Sequence, residues 1–241
     1  MKTPFILLLA GLSLGVAAQG PERAATVTGV VITRDELAAA PEGTAREARL
    51  LELIWPRIAG HYVARQGLAA TPAEVEEVLA YHREFERKDR AQRARKLEEL
   101  DRRLAADSLG AGERAWLQEF QATLQRLALY DSEQDRVPPQ DREQLQAFLA
   151  LWVETWKMNR AIFERYGGVV ALGEFGPSPH GARAALIADY ERQGLLEFAD
   201  ADLRERVHAM LQQPPSMVVP PDRVDFTPYW KRPIPPSYFP D

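Results

Sequence analysis

The sequence predicts a mainly α-helical fold with one small two-stranded β pairing and an extended, proline-rich C-terminal tail. Two T-x-x-E capping boxes, Thr33–Glu36 and Thr71–Glu74, mark helix starts. In this motif the threonine oxygen accepts an amide hydrogen bond, and the glutamate reaches back to the cap. Apolar residues recur at helical spacing through most of the chain, and few stretches have the β-branched composition of a strand. The 241 residues, 46% of them hydrophobic, are enough for one or two compact domains.

The N-terminus has the pattern of a secretory signal peptide. Lys2 precedes an apolar run over Phe5–Val16, and small residues follow for cleavage after Ala18. The run is short for a bilayer-spanning helix, so we favour a cleaved signal over a transmembrane anchor. We therefore expect a signal peptide over 1–18 and a mature protein that is periplasmic or secreted, without stable membrane insertion.

A strand-like opening, a small capped helix and a long apolar helix follow over 27–80. Val27–Gly29 and Ile32–Leu37 resemble the opening V-N-G-x-x-I-T-x-x-E-L of the SurA/parvulin-type periplasmic folding factors. Gln66–Leu68 with Thr71–Val75 resembles their x-G-L-x-x-(S/T)-x-x-E-V helix junction. The resemblance covers about a fifth of the chain. It implies the N-terminal chaperone module of that family, which binds polypeptide.

The helix that follows the second capping box becomes polar on every side over 86–96. Such a helix stands in solvent or bridges parts of the molecule. Pairs at i,i+4, such as Asp89–Arg93, favour a solvated helix. A basic arm that meets an anionic partner or lipid headgroups is the alternative.

Two aromatic-rich helices are predicted next, over about 113–130 and 140–166. Trp116 and Phe120 lie on the first, and Trp152 and Trp156 lie on the second, all at helical spacing. Aromatic stripes of this kind are more often core than binding surface. We nevertheless take these four as candidate peptide-binding residues.

A second strand is expected over about 168–173, after a glycine pair that ends the helix. A lone strand would leave its backbone groups unpaired, so we expect this return strand to pair with Val27–Ile32. That pairing would close one helical domain over 19–213. Ser178 and Asp200 are expected to cap the two last helices of this domain.

The segment 214–241 combines many prolines with aromatic residues. Proline at this density prevents helix and favours extended polyproline II. Either the segment lies along the body with its rings in grooves, or it is free to bind a partner. We favour the first, because exposed rings on a loose tail would promote aggregation. A tail that lies in the client groove would be an internal mimic of an extended client.

The sequence contains no recognisable catalytic or metal-binding constellation. Its four histidines are scattered, it has no cysteine, and the segments that flank the active site of parvulin domains are missing. Glu154, Arg160 and Glu164 belong to a dense polar cluster that we interpret as structural ion pairs that hold the return strand. Orientation of a substrate is the alternative for this cluster. We expect no catalytic residues, no metal and no cofactor.

These observations predict a periplasmic, chaperone-like protein that binds unfolded or extended polypeptide segments without catalysis. The helices around 44–66, 113–130 and 140–166 would line its apolar groove. A structural or assembly subunit is the alternative, docking a dedicated envelope partner through the charged helix and the tail. An enzyme built on the polar cluster is a third reading. The net charge of −5 argues against nucleic acid as the main partner.

Overall fold

The described part of the chain begins with a β-hairpin rather than with the single strand that the sequence suggests. A computed structural model describes residues 22–106, 109–134, 139–173 and 176–235, so the expected signal peptide lies outside the described residues. Strands β1 (Arg23–Val27) and β2 (Val30–Thr33) pair antiparallel. Thr28 and Gly29 link them with φ values of 49° and 85°. Two positive φ values at the centre of a two-residue turn are what a tight hairpin requires.

Seven helices account for most of the described residues, which confirms the mainly α-helical prediction. They are α1 (Arg34–Ala38), α2 (Arg46–Gln66), α3 (Pro72–Leu104), α4 (Ala111–Gln134), α5 (Pro139–Tyr166), α6 (His180–Arg192) and α7 (Ala201–Gln212). Both capping boxes form, at the starts of α1 and α3, and Asp200 caps α7. The expected cap at Ser178 is wrong, because α6 begins after Pro179 without a side-chain cap.

The strand pairing expected across the chain is wrong in its partners. The return segment does contain a strand, β3 (Ala171–Gly173), but it pairs with the adjacent β4 (Gly176–Ser178). The third strand beside the N-terminal hairpin is β5 (Leu196–Phe198), which gives the order β2-β1-β5. Both hairpins form between neighbours in sequence, where closing the loop costs little conformational entropy.

The main core lies where the three-stranded sheet meets α2, α6, α7 and the end of α5. The sheet and these four helices supply its most deeply buried large side chains, which are Ile32, Leu50, Ile54, Ile58, Ile162, Leu186, Ile187, Leu196 and Leu203. A smaller cluster of Val78, Leu149 and Val153 joins the start of α3 to the middle of α5. The early and late parts of the sequence therefore share one core, although their strand pairing differs from expectation.

The second half of α3 and α4 form a helical hairpin, which we call the arm. Its own core consists of Leu100, Leu117 and Leu124. The expected pair of Asp89 with Arg93 forms, but Arg93 is buried, and its guanidinium also lies 2.9 Å from a carboxylate oxygen of Asp131 on α4. The 86–96 segment is therefore not solvated on every side, as the sequence suggests, because one of its cations is a buried link between the two helices.

The described part of the tail lies along the body, as the favoured alternative predicts. Val219 N–H donates to the carbonyl of Val170 at 2.8 Å, so the tail begins beside β3. It continues through two short 3₁₀ turns, Pro221–Arg223 and Tyr229–Lys231, and the second lies against α3. The rings of Tyr238 and Phe239 lie outside the described residues.

Candidate functional site

An apolar groove of about 440 Å³ opens between α2 and α5, with the β3–β4 hairpin and α6 at its end. We call it the α2–α5 groove. Most of its lining is apolar, and Leu151 stands 61% exposed at its edge. The lining residues are Trp55, Pro56, Ala59, Gly60, Val63, Leu151, Glu154, Thr155, Met158, Asn159, Gly173, Gly176, Ser178 and Arg183. This volume lies within the range of natural ligand pockets.

Small side chains on α2 create the space. Pro56, Ala59, Gly60 and Val63 follow one another at helical spacing along the wall of the groove. A Cβ built on Gly60 would meet no atom within 4 Å, so the groove is open at this position. These small residues are the feature of the sequence that opens the groove, but such residues are common in helices and do not by themselves predict one.

Polar side chains fix the walls of the groove. A carboxylate oxygen of Glu154 accepts a hydrogen bond from Ala70 N–H at 3.1 Å, which ties α5 to the α2–α3 junction. The Asn159 side-chain amide donates to the carbonyl of Pro177 at 3.4 Å and holds β4. Arg183 lies over the Trp55 ring, 4.2 Å from its centroid, and burial lowers the pKa of this guanidinium. The groove is therefore preformed and does not depend on a ligand for its shape.

A second surface, where α3 and α5 meet, is covered by the tail. Trp156 Nε1 donates to the carbonyl of Phe226 at 2.7 Å, and the Phe226 ring packs on Phe163. Trp230 packs against the Val78 cluster, and its ring centroid lies 5.5 Å from that of Trp156. The tail thus covers the α3–α5 surface, and none of its described residues lines the α2–α5 groove, contrary to the idea that it mimics a client there.

A histidine lies within this tail contact. His82 Nε2 lies 2.8 Å from the Tyr229 hydroxyl, and the two rings meet edge to face. Burial lowers the pKa of His82, against an opposing influence of Glu86. Burial also raises the pKa of Tyr229 to about 12. Both groups are therefore neutral at neutral pH while the tail is docked.

The four candidate peptide-binding aromatics fall into two separate places. Trp152 and Trp156 lie beneath the tail, where both contact Tyr229. Trp116 and Phe120 stack on each other on α4, with ring centroids 5.7 Å apart. None of the four lines the α2–α5 groove. Of the three helices expected to line a groove, α2 and α5 do so, whereas α4 packs against α3 instead.

The polar cluster predicted on α5 does not act as one unit. Arg160 and Glu164 pair at 2.8 Å, but both side chains are more than half exposed, and exposed pairs contribute little to stability. Glu154 points the other way, toward Ala70. The expectation that these ion pairs hold the return strand is therefore wrong. Asn159, the neighbour of Arg160 on the same helix, makes a contact to the β3–β4 hairpin instead.

Tyrosine and histidine side chains also meet between α2, α5 and α6. Tyr166 O–H donates to Asp189 at 2.8 Å, and the Tyr190 hydroxyl lies 2.8 Å from His61 Nδ1. Desolvation raises the pKa of each of these tyrosines to about 12. They remain protonated and serve as hydrogen-bonding links between helices. In the described ranges, His, Asp and Glu side chains form no group of three or more that could hold a metal ion.

No helix within the described residues is both long enough and apolar enough to cross a bilayer. Comparisons of the chain with protein-family models, with curated proteins and with solved structures find no match.

Proposed function

We propose that this protein binds unfolded or extended polypeptide segments in the α2–α5 groove, without catalysing a reaction on them. The observation that carries the proposal is the groove itself, a preformed and largely apolar channel that reaches the surface beside the exposed Leu151. Apolar grooves with a few polar groups are the usual sites for segments of this kind. The proposed location is the periplasm, on the strength of the signal-peptide pattern and the SurA-like motifs.

The dimensions of the groove indicate a short recognition length. Its lining spans 55–63 on α2 and 151–159 on α5, about 12 Å each at 1.5 Å per residue. An extended chain advances roughly 3.3 Å per residue, so about three to four residues fit. Such a contact gives weak affinity and tolerates many sequences, which suits a protein that holds unfolded clients.

Polar groups on the lining can bind the backbone of an extended segment. Thr155 and Ser178 contribute hydroxyl groups, each of which can donate and accept a hydrogen bond. Burying a peptide backbone requires such partners, because an unpaired amide in an apolar site costs about 1–3 kcal/mol. The mixture of apolar walls and hydroxyl groups therefore fits a backbone better than it fits a wholly apolar ligand.

The assembly-subunit alternative has less support. It requires the charged helix and the tail as docking elements, yet Arg93 pairs with α4 and the described tail residues pack on α3 and α5. A fixed partner would have to displace these contacts or bind elsewhere.

The experiment is light scattering during dilution of a denatured outer-membrane protein, with and without the mature chain from Gln19. We expect suppression of aggregation at near-stoichiometric ratios. Gly60→Leu fills the groove and should abolish suppression, while it stabilises α2 because glycine costs about 1 kcal/mol within a helix. Leu151→Asp places a charge at the edge of the groove and should have the same effect.

Leu145→Asp is the matched control. It makes the same change on the same helix, at an exposed leucine that does not line the groove, and it should leave suppression intact. If the folded wild-type protein fails to suppress aggregation, or if Gly60→Leu suppresses as well as the wild type, the proposed use of the groove is refuted.

A further inference from the structure

The lining of the α2–α5 groove contains a positive charge that no carboxylate of the described residues neutralises. Arg183 lies on this lining, and its side chain is only partly exposed. Its guanidinium rests on the Trp55 ring and forms no ion pair within the described ranges. Burial lowers the pKa of Arg183, and no carboxylate in the described part of the chain offsets this effect. Arginine stays protonated in proteins, so the groove holds a cation without an anion.

The local fold does not compensate this charge. Arg183 stands in the first turn of α6, where the positive end of the helix dipole opposes a cation, and that turn contains no acidic residue. The contact with Trp55 recovers only part of the cost of removing the guanidinium from water. Exposed arginines of this chain do find carboxylates, as Arg160 finds Glu164. The partly buried Arg183 therefore gains a partner only when a ligand in the groove supplies an anion.

The two charged residues of the lining stand at opposite ends of the groove. Arg183 lies over Trp55, the first residue of α2 that lines the groove. Glu154 accepts its hydrogen bond from Ala70 N–H, beyond Val63, the last such residue of α2. From 55 to 63 the helix advances about 12 Å. Glu154 is thus too far from Arg183 to neutralise it.

This arrangement gives the groove a direction. The exposed Leu151, one helical turn from Glu154, stands at the end where a segment enters. The β3–β4 hairpin and α6 stand at the other end, where Arg183 lies. A segment of three to four residues that enters beside Leu151 reaches Arg183 with its leading end. A chain end fits this position, because a continuing chain would have to turn away at the hairpin.

We propose that the groove binds the C-terminal end of a polypeptide, with the terminal carboxylate at Arg183 and the preceding apolar side chains along α2 and α5. This inference rests on the proposed peptide-binding function and specifies its ligand. A guanidinium holds a carboxylate through two parallel hydrogen bonds, each stronger than one between neutral groups. Ser178, which also lines the groove at the hairpin, contributes a further hydroxyl donor. An N-terminal end would bring an ammonium group to Arg183 and is repelled.

Fluorescence polarisation of the mature protein with three peptides tests the proposal. Each peptide carries a neutral fluorophore at its N-terminus. The first, Gly-Ser-Gly-Leu-Val-Ala-Leu, has a free C-terminal carboxylate, and the second is its C-terminal amide. The third extends the sequence by one glutamate amide, so that its carboxylate belongs to a side chain. The first should bind about tenfold more tightly than either of the others, because a hydrogen bond to a charged group is lost in both.

Two matched variants assign this preference to Arg183. Arg183→Met keeps an apolar stem over Trp55 and should bind the free acid and the amide equally, with its helical circular dichroism retained. Arg160→Met makes the same change at an exposed arginine outside the lining, and it should keep the tenfold preference. A preference that survives in folded Arg183→Met overturns the proposal.

The wild type alone also decides, so the proposal stays falsifiable if Arg183→Met does not fold. Equal binding of the free acid and the amide overturns it. If Gly60→Leu abolishes that equal binding, the groove still binds polypeptide and only the role of the carboxylate fails. If none of the peptides binds, both proposals for the groove fail. A glutamate amide that binds as tightly as the free acid assigns Arg183 to acidic side chains and overturns the chain-end assignment.

Discussion

Replacing Gly176 with alanine tests whether the Trp156 ring is fixed in place between the β3–β4 hairpin and the tail. Gly176 has a φ of +102°, and a Cβ built on it would lie 2.6 Å from two atoms of the Trp156 ring. The ring has little freedom to move, because its Nε1 is hydrogen-bonded to the carbonyl of Phe226 and Trp230 packs beside it. The alanine variant therefore incurs both a backbone cost and a packing cost.

The two costs can be given magnitudes. A side chain at positive φ costs about 1–2 kcal/mol. Turning the Trp156 ring by about 30° costs a further 0.5–1.5 kcal/mol. Weakening its hydrogen bond to Phe226 adds roughly 1 kcal/mol. We expect the free energy of unfolding to fall by about 3 kcal/mol in Gly176→Ala, measured by urea denaturation.

Two variants separate these contributions. Gly43 has a similar φ of +83° with no atom within 4 Å of a built Cβ, so Gly43→Ala should incur only the backbone cost of about 1–2 kcal/mol. Trp156→Phe replaces the indole with a smaller ring that lacks the two atoms closest to the built Cβ. In its background Gly176→Ala should cost at least about 1 kcal/mol less than in the wild type, because the two sites are coupled. Equal costs for the two glycine variants, or additive costs in the double variant, would contradict the reasoning.

Two further predictions concern charges. Arg160→Met should change stability by less than about 0.5 kcal/mol, because its pair with Glu164 is exposed. Arg93→Met should cost about 2–3 kcal/mol, because it removes the buried guanidinium and leaves Asp131 only the more distant Arg90, at 3.8 Å. Urea denaturation of both variants checks this contrast. Burial lowers the pKa of His82 while the tail is docked. Tail docking should therefore weaken as pH falls from the ordinary histidine range through that lowered pKa. NMR titration of His82 with and without residues 214–241 measures the difference between the two pKa values.

The sequence predicts most reliably what is decided within a few residues. Both threonine capping boxes, the Asp200 cap and the glycine end of α5 form as expected, because each depends on residues no more than four positions away. The Thr28–Gly29 turn is equally local, but the β-branched residues on both sides conceal it within one apparent strand. Read as two central turn residues, it would have predicted the hairpin.

The long-range features do not follow from such local signals. Leu196–Phe198 is too short to stand out in the sequence, yet it supplies the third strand of the sheet. The groove depends on small residues of α2 meeting α5, and small residues in a helix carry no distinctive pattern. The tryptophans do stand out in the sequence, which is why they were chosen as candidate peptide-binding residues. The sequence does not show, however, that the aromatic residues of this chain's own tail cover Trp152 and Trp156.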